Sequence, residues 1–102
     1  MDATLVINAL AEPRRREILR MVRNAACSAN ELRDALDITQ QAVSQHLHIL
    51  ESAGLVRADR PGRGRRYTLA ADGIDALDRF LSELWPDGLQ RLKSVLEAKR
   101  DS

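Results

Sequence analysis

The sequence predicts a mainly α-helical protein with one small β-hairpin, folded as a single domain over residues 1–102. Three observations favour this fold class. Hydrophobic residues recur at helical spacing through most of the chain, and they alternate with polar residues only between positions 56 and 69. A turn signal of one proline and two glycines interrupts that alternation. A length of 102 residues corresponds to one domain.

The composition is typical of a soluble globular protein, with 44% hydrophobic and 30% charged residues. No apolar run approaches the roughly 18 residues of a membrane span, and no basic region precedes a hydrophobic stretch at the N-terminus. Cys27 is the only cysteine, which excludes an internal disulfide and a thiolate metal cage. We therefore expect a cytoplasmic protein that does not contact a membrane.

Capping signals place the first three helices. The first helix is expected to run from after Asp2 to about Ala11. Pro13 starts the second, because proline is tolerated in the first helical turn. Ser28 begins the third, and the S-x-x-E spacing of Ser28 and Glu31 is that of a capping box.

A short turn leads into the fourth helix. Thr39 can cap this helix, which we expect to run from Gln40 to about Ala53. Gly54 follows at once, as expected for a left-handed helix stop, and Leu55 can fold back onto the last turn. The core side of the helix recurs at i, i+4 and i+7, at Val43, Leu47 and Leu50.

Two short strands follow, one with Val56 and Ala58 and the other with Tyr67 and Leu69. The flexible tip between them, residues 60–65, belongs to a segment in which five arginines stand against Asp59, a local net charge of +4 over residues 57–66. Those arginines are Arg57, Arg60, Arg63, Arg65 and Arg66. Arginine offers a planar fork of donors that suits phosphate.

A long last helix is expected to start near a capping Asp72, and Pro86 with Gly88 should kink or break it. Its apolar stripe is wider than one small core needs, which predicts a dimerisation surface because large exposed apolar patches mark association. We assign to this interface Leu77, Phe80, Leu81, Leu84, Trp85, Leu89 and Leu92. The alternative, left open here, is that the stripe covers the chain's own core.

Two helices joined by a tight turn and followed by a basic hairpin form the pattern of a winged helix-turn-helix with a C-terminal dimerisation helix. The DNA major groove, ~12 Å wide, accepts one α-helix, and the helix over 39–53 presents short polar side chains to it. We predict DNA contacts from Thr39, Gln40, Gln41, Ser44, Gln45 and His48 on the helix. On the wing over 60–66 we predict backbone or minor-groove contacts from Arg60, Arg63 and Arg65.

Four runs of this sequence together resemble the ArsR-type winged-helix repressors. They are residues 9–19 (ALAEPRRREIL), 38–50 (ITQQAVSQHLHIL), 53–56 (AGLV) and 62–67 (GRGRRY). The resemblance covers roughly residues 5–85. It implies a homodimeric bacterial transcriptional repressor whose first and last helices form the dimer interface, which adds Leu5 of the first helix to that surface. Two-fold symmetry then predicts an inverted-repeat operator.

Many members of this family bind metals, but the residues that the resemblance would require are missing. The third helix has no cysteine pair, and the last helix carries Asp72, Asp75 and Asp78 without a histidine. His46 and His48 are two apart and point to different helix faces. We therefore expect no transition-metal site and no cofactor, and the effector is unknown.

Cys27 precedes the third helix, where Arg23 and the helix start would modestly favour its thiolate. A redox role is conceivable, but an inert small residue is the favoured interpretation. Among other functions, a protein-docking module stays open as the alternative, although such a module does not need the arginine cluster. An enzyme is not expected, because the sequence holds no cofactor fingerprint or phosphate-cradling loop.

Overall fold

The structure, a computed structural model, describes residues 2–59 and 64–101, and within the last helix it describes the side chains of residues 90 and 94–99. The elements in chain order are α1 (Ala3–Leu10), α2 (Pro13–Asn24), β1 (Cys27–Ser28), α3 (Ala29–Leu36), α4 (Gln40–Ser52), β2 (Val56–Ala58), β3 (Arg66–Leu69), α5 (Asp72–Leu84) and α6 (Gly88–Asp101). Within the described part of the chain, no helix has the length and apolar character needed to cross a membrane.

Helices α3 and α4 start where the capping signals predict them. The Thr39 hydroxyl oxygen accepts from the Ala42 N–H at 3.1 Å. Ser28 Oγ accepts from the Glu31 N–H at 3.1 Å, and its own O–H donates to the Glu31 carboxylate at 3.2 Å. The predicted capping box is therefore altered, because the Glu31 carboxylate accepts from the Ser28 hydroxyl. Such caps stabilise helices because they satisfy backbone donors that have no partner inside the helix.

Residues in the left-handed region end both helices of the helix-turn-helix. Asp37 closes α3 at φ 54° and ψ 50°, and its N–H donates to the Arg33 carbonyl. Gly54, at φ 70°, follows α4, and the Leu55 N–H donates back to the Leu50 carbonyl at 3.0 Å. The predicted stop at Gly54 is thus confirmed, with Leu55 buried at 2% exposure.

The sheet has three strands in the order β1-β3-β2, all antiparallel. The predicted hairpin is confirmed, with Val56 opposite Leu69 and Ala58 opposite Tyr67. The third strand, β1, was not predicted. It places Cys27 opposite Tyr67, and a two-residue strand is too short to show an alternating pattern.

One core joins the helices to the sheet, and most of its members come from the predicted apolar faces. It contains Val6, Ala9, Ile18, Val22, Cys27, Leu32, Val43, Leu47, Leu50, Ala53, Leu55, Val56 and Tyr67. Burial of α4 along Val43, Leu47 and Leu50 orients the opposite side of that helix outward. The core therefore determines which face of α4 meets solvent.

In the C-terminal region one alternative is decided and one prediction is wrong. Of the predicted kink or break at Pro86 and Gly88, the structure shows a break, with α5 and α6 separated by residues 85–87. Asp72 does not cap α5, because the N-cap is Ala71 and it makes no side-chain capping bond. A close approach holds this helix start instead: the Gly73 N–H donates to the Gly54 carbonyl at 2.8 Å. A Cβ at position 73 would collide with the Ala53 carbonyl oxygen.

Candidate nucleic-acid interface

The exposed face of α4 is a row of short polar side chains. It carries Gln40, Gln41, Ser44, Gln45 and His48, all exposed, opposite the buried Val43, Leu47 and Leu50. Within residues 2–59 and 64–101, the side chains of Gln41, Ser44, Gln45 and His48 make no hydrogen bond. Their donors and acceptors are therefore available to a ligand that lies along this face.

Thr39 and Gln40 differ from the rest of this row, because each already has a protein partner. The Thr39 hydroxyl oxygen caps α4 with one of its two lone pairs, which leaves its O–H and the second lone pair for other partners. The Gln40 side-chain oxygen accepts from Arg33 Nη1 at 3.0 Å. Arg33 was missed by the sequence analysis, since no local pattern connects it with Gln40 across the turn.

His46 lies on the inner side of α4 and is half-buried. Its Nδ1 lies 3.5 Å from Arg15 Nη1. Burial lowers the pKa of His46, and the cations Arg15 and Arg14 lower it further, against an opposing effect of Glu12. These effects favour the neutral ring, which lies where α4 packs against α2.

The hairpin emerges beside the start of α3. Arg66 ties the two together, because its Nη2 donates to the Ala26 carbonyl at 3.0 Å and to Glu31 at 2.9 Å. Arg65 is half-buried and its Nη1 donates to the Tyr67 hydroxyl at 3.4 Å. Arg60 and Arg63, both predicted contacts, lie outside the described residues.

The arginines at the start of α2 bind the ends of other helices. Arg15 donates through Nε to the Ala9 carbonyl at 2.8 Å and through Nη2 to the Asn8 carbonyl at 2.9 Å. Arg16 Nη1 donates to the Leu10 carbonyl at 2.7 Å, at the end of α1. Arg14 donates to the Leu36 carbonyl at 2.8 Å, at the end of α3. Cations at helix C-termini stabilise the unsatisfied carbonyls and the helix dipole.

The expectation that Cys27 favours its thiolate is wrong in direction. Burial raises the pKa of the Cys27 thiol, and Glu31 raises it further, while Arg66 acts against them. The thiol donates to the Ala25 carbonyl at 3.2 Å. Among the described residues, no group of three or more His, Cys, Asp or Glu side chains could hold a metal ion.

Apolar side chains remain exposed on α1 and at the end of α5, two helices that pack against each other. Leu5 is 46% exposed, Leu84 53% and Trp85 62%. Phe80 and Leu81 are half-buried, and Leu77 packs partly against the chain's own core. The side chains of Leu89 and Leu92 lie outside those that the structure describes.

Comparison with known proteins identifies the family. Residues 10–58 match a helix-turn-helix domain family. The chain is 35% identical over 94 residues to the HTH-type transcriptional regulator Rv2034 of Mycobacterium tuberculosis, covering 91% of this chain and 87% of that protein. An ArsR-like transcriptional regulator from Rhodococcus sp. RHA1 superposes with a TM-score of 0.73 at 28% identity, over 97% of this chain and 91% of that one. The chain belongs to the ArsR family of winged helix-turn-helix transcriptional regulators.

A further solved structure bears on the assembly. The winged helix-turn-helix DNA-binding domain Mb0332 from Mycobacterium bovis, described as homodimeric, superposes with a TM-score of 0.63 at 26% identity, over 82% of this chain and 78% of that one. The ArsR-type resemblance of the sequence is thus confirmed, as is the winged fold.

Proposed function

We propose that this ArsR-family protein is a sequence-specific repressor that binds an operator in double-stranded DNA as a homodimer. The observation that carries this proposal is the exposed polar face of α4, on which Gln41, Ser44, Gln45 and His48 have no hydrogen-bond partner within the described residues. None of these side chains is acidic, so the face does not repel phosphate.

In this proposal α4 enters the major groove. Gln41, Ser44 and Gln45 contact base edges, for which glutamine and serine have suitable donors and acceptors. His48 is further along the exposed face, nearer the backbone. Thr39 and Gln40 stand at the start of the helix, where recognition helices commonly touch base edges.

The wing supplies contacts that do not depend on sequence. Arg65 is held at the base of the tip by Tyr67, and Arg60 and Arg63 belong to the tip by sequence. Contacts from arginine to phosphate position a protein on the duplex without specifying bases. We therefore assign affinity to the wing and sequence preference to α4.

The dimer forms through α1 and the C-terminal helices. Exposed Leu5, Leu84 and Trp85 supply apolar area, and Phe80 and Leu81 extend it. Leu77 contributes only in part because it also covers the core. Leu89 and Leu92 continue the surface by sequence. Two-fold symmetry would place the α4 helices in half-sites about 34 Å apart.

We further propose that residues 1–102 act as one cytoplasmic domain with neither a transition-metal site of its own nor enzymatic activity. The shared core of helices and sheet supports the single domain. Membership in a family of transcriptional regulators supports a role without catalysis.

The experiment is selection of duplexes from a random pool by the purified chain, followed by footprinting on the enriched sequence. We expect the unaltered chain to enrich an inverted repeat. The Ser44→Ala/Gln45→Ala double variant should still bind DNA but should not enrich that sequence. Leu84→Asp tests the proposed dimer separately, because Leu84 lies outside the DNA-binding face. Sedimentation velocity of this variant should show a monomer. Failure of the unaltered chain to enrich any duplex would contradict the proposal and favour the docking module.

A further inference from the structure

The guanidinium of Arg33 joins the two helices of the helix-turn-helix. Arg33 lies on α3, and its Nε donates to Asp34 Oδ1 at 3.0 Å. Its Nη1 donates to Gln40 Oε1, on the first residue of α4, at 3.0 Å. The Arg33 main-chain carbonyl also accepts from the N–H groups of Asp37 and Ile38 in the intervening turn. Side chain and backbone of one residue therefore hold both the turn and the start of α4.

The chemistry of this contact fixes the orientation of the Gln40 amide. A guanidinium carries five N–H donors and no acceptor, so the amide atom that faces it must be the oxygen. The amide is planar, and its nitrogen therefore occupies the other branch, directed away from Arg33. Gln40 is exposed, so this nitrogen presents two donors to solvent at the start of the exposed face.

We propose that Arg33 is a positioning residue for DNA recognition, holding the Gln40 amide so that Gln40 meets the DNA as a hydrogen-bond donor. This inference rests on the proposed DNA-binding function and deepens it. The matching chemistry on DNA is an acceptor. It is supplied either by a base edge, as guanine O6 and N7 or thymine O4, or by a phosphate oxygen.

Positioning matters because glutamine is a long side chain whose rotamer freedom opposes binding. A side chain already ordered in the free protein loses less entropy when the complex forms. The Asp34 carboxylate restrains the guanidinium in turn, in an ion pair with Arg33 whose side-chain exposures are 36% for Arg33 and 72% for Asp34. Because Arg33 is partly exposed, the rival explanation is that it contacts phosphate itself.

A double-mutant cycle on a duplex selected by the unaltered chain separates the two explanations. Arg33→Ala and Gln40→Ala should each weaken binding by about two- to tenfold, the range of one hydrogen bond. The double variant should bind no more weakly than Gln40→Ala alone. Arg20→Ala removes the same charge from an exposed arginine of α2 that pairs with Glu17, and it should bind as the unaltered chain does.

Gln40→Glu sharpens the test because it keeps an acceptor for Arg33 and removes the donor. We expect it to weaken binding at least as much as Gln40→Ala. A panel of duplexes with single base-pair changes then locates the acceptor. If the acceptor is a base, Arg33→Ala and Gln40→Ala relax discrimination at the same one position; if it is a phosphate, both weaken all duplexes equally.

Three results would overturn the inference. Additive losses in the cycle would mean that Arg33 contacts DNA itself or stabilises the fold generally. Unchanged binding of Arg33→Ala, or full binding of Gln40→Glu, would mean that the amide does not act as an oriented donor. These results leave the proposed function standing, whereas failure of the unaltered chain to select any duplex would remove the function and this inference with it.

Discussion

The chain carries two clusters of arginine that look alike in composition and differ in what they bind. At the start of α2, Arg14, Arg15 and Arg16 donate to carbonyl groups at the ends of α3 and α1. In the hairpin, Arg65 contacts a tyrosine hydroxyl at the base of the tip. Local charge density alone would assign both clusters to the DNA. The hydrogen-bond partners indicate that the first cluster stabilises the fold and leave the second as the candidate for phosphate.

The same distinction applies within the hairpin. Arg66 is next to Arg65 in sequence, but its guanidinium bonds the Ala26 carbonyl and the Glu31 carboxylate. It therefore anchors the wing to the start of α3. Adjacent arginines can therefore have different roles, and the number of basic residues does not show which of them contacts DNA.

The largest expected effect comes from the structural cluster. Arg15→Ala removes bonds to the Ala9 and Asn8 carbonyls, and because charged hydrogen bonds are involved we expect a loss of about 2–3 kcal/mol in the free energy of unfolding. Urea denaturation followed by circular dichroism measures it. Arg79→Ala, at an exposed position within α5, is the control and should stay within about 0.5 kcal/mol. Equal losses would mean that Arg15 stabilises the fold no more than an exposed arginine does.

Gln45→Ala tests the proposal that the exposed face of α4 reads the DNA sequence. On the selected duplex we expect a loss of about 1–3 kcal/mol at the cognate base pair, with binding to scrambled DNA unchanged. Competition between the two duplexes in fluorescence anisotropy measures the difference. If the affinities for selected and scrambled DNA fall equally, α4 does not read bases through this residue.

Arg65→Ala should leave sequence preference unchanged and weaken binding to all DNA sequences alike. Loss of one phosphate contact should lower the slope of log affinity against log salt concentration by about 0.9. Titrations at several salt concentrations measure it, and the free energy of unfolding serves as the control for folding. An unchanged slope would place Arg65 with Arg66, as a residue that holds the wing.

The smallest effect concerns pH and the packing of α4 on α2. Because burial lowers the pKa of His46, the unfolded chain takes up the proton first as the pH falls. The contribution of the neutral His46 ring to the free energy of unfolding is complete above the ordinary histidine pKa of about 6.5. It declines as the pH falls through the lower pKa of the folded state. His46→Gln should reduce this decline in urea denaturation series between about pH 5.5 and pH 7.5. An identical pH dependence of the two proteins would contradict it.

Features determined by local chemistry could be predicted from the sequence. Ser28 and Thr39 signal helix starts, Gly54 signals a stop, and the buried spacing of Val43 and Leu47 identifies the outer face of α4. All of these depend on residues within about one or two helical turns of each other. The winged fold and the row of polar residues on α4 followed from them.

Features that depend on distant partners could not be predicted. The strand at Cys27 exists because it pairs with Tyr67, far along the chain. The bond from Arg14 to the Leu36 carbonyl and that from Arg33 to Gln40 depend on how helices cross. Pro86 indicated an interruption, but the separation of α5 from α6 required the structure.

The most direct test of the account is a titration of the full chain against the selected duplex and a scrambled duplex of the same composition at low ionic strength. The account predicts that the selected duplex is bound at least about 10³-fold more tightly, with two chains on each duplex by sedimentation. A single chain that binds neither duplex, or both equally, would contradict it.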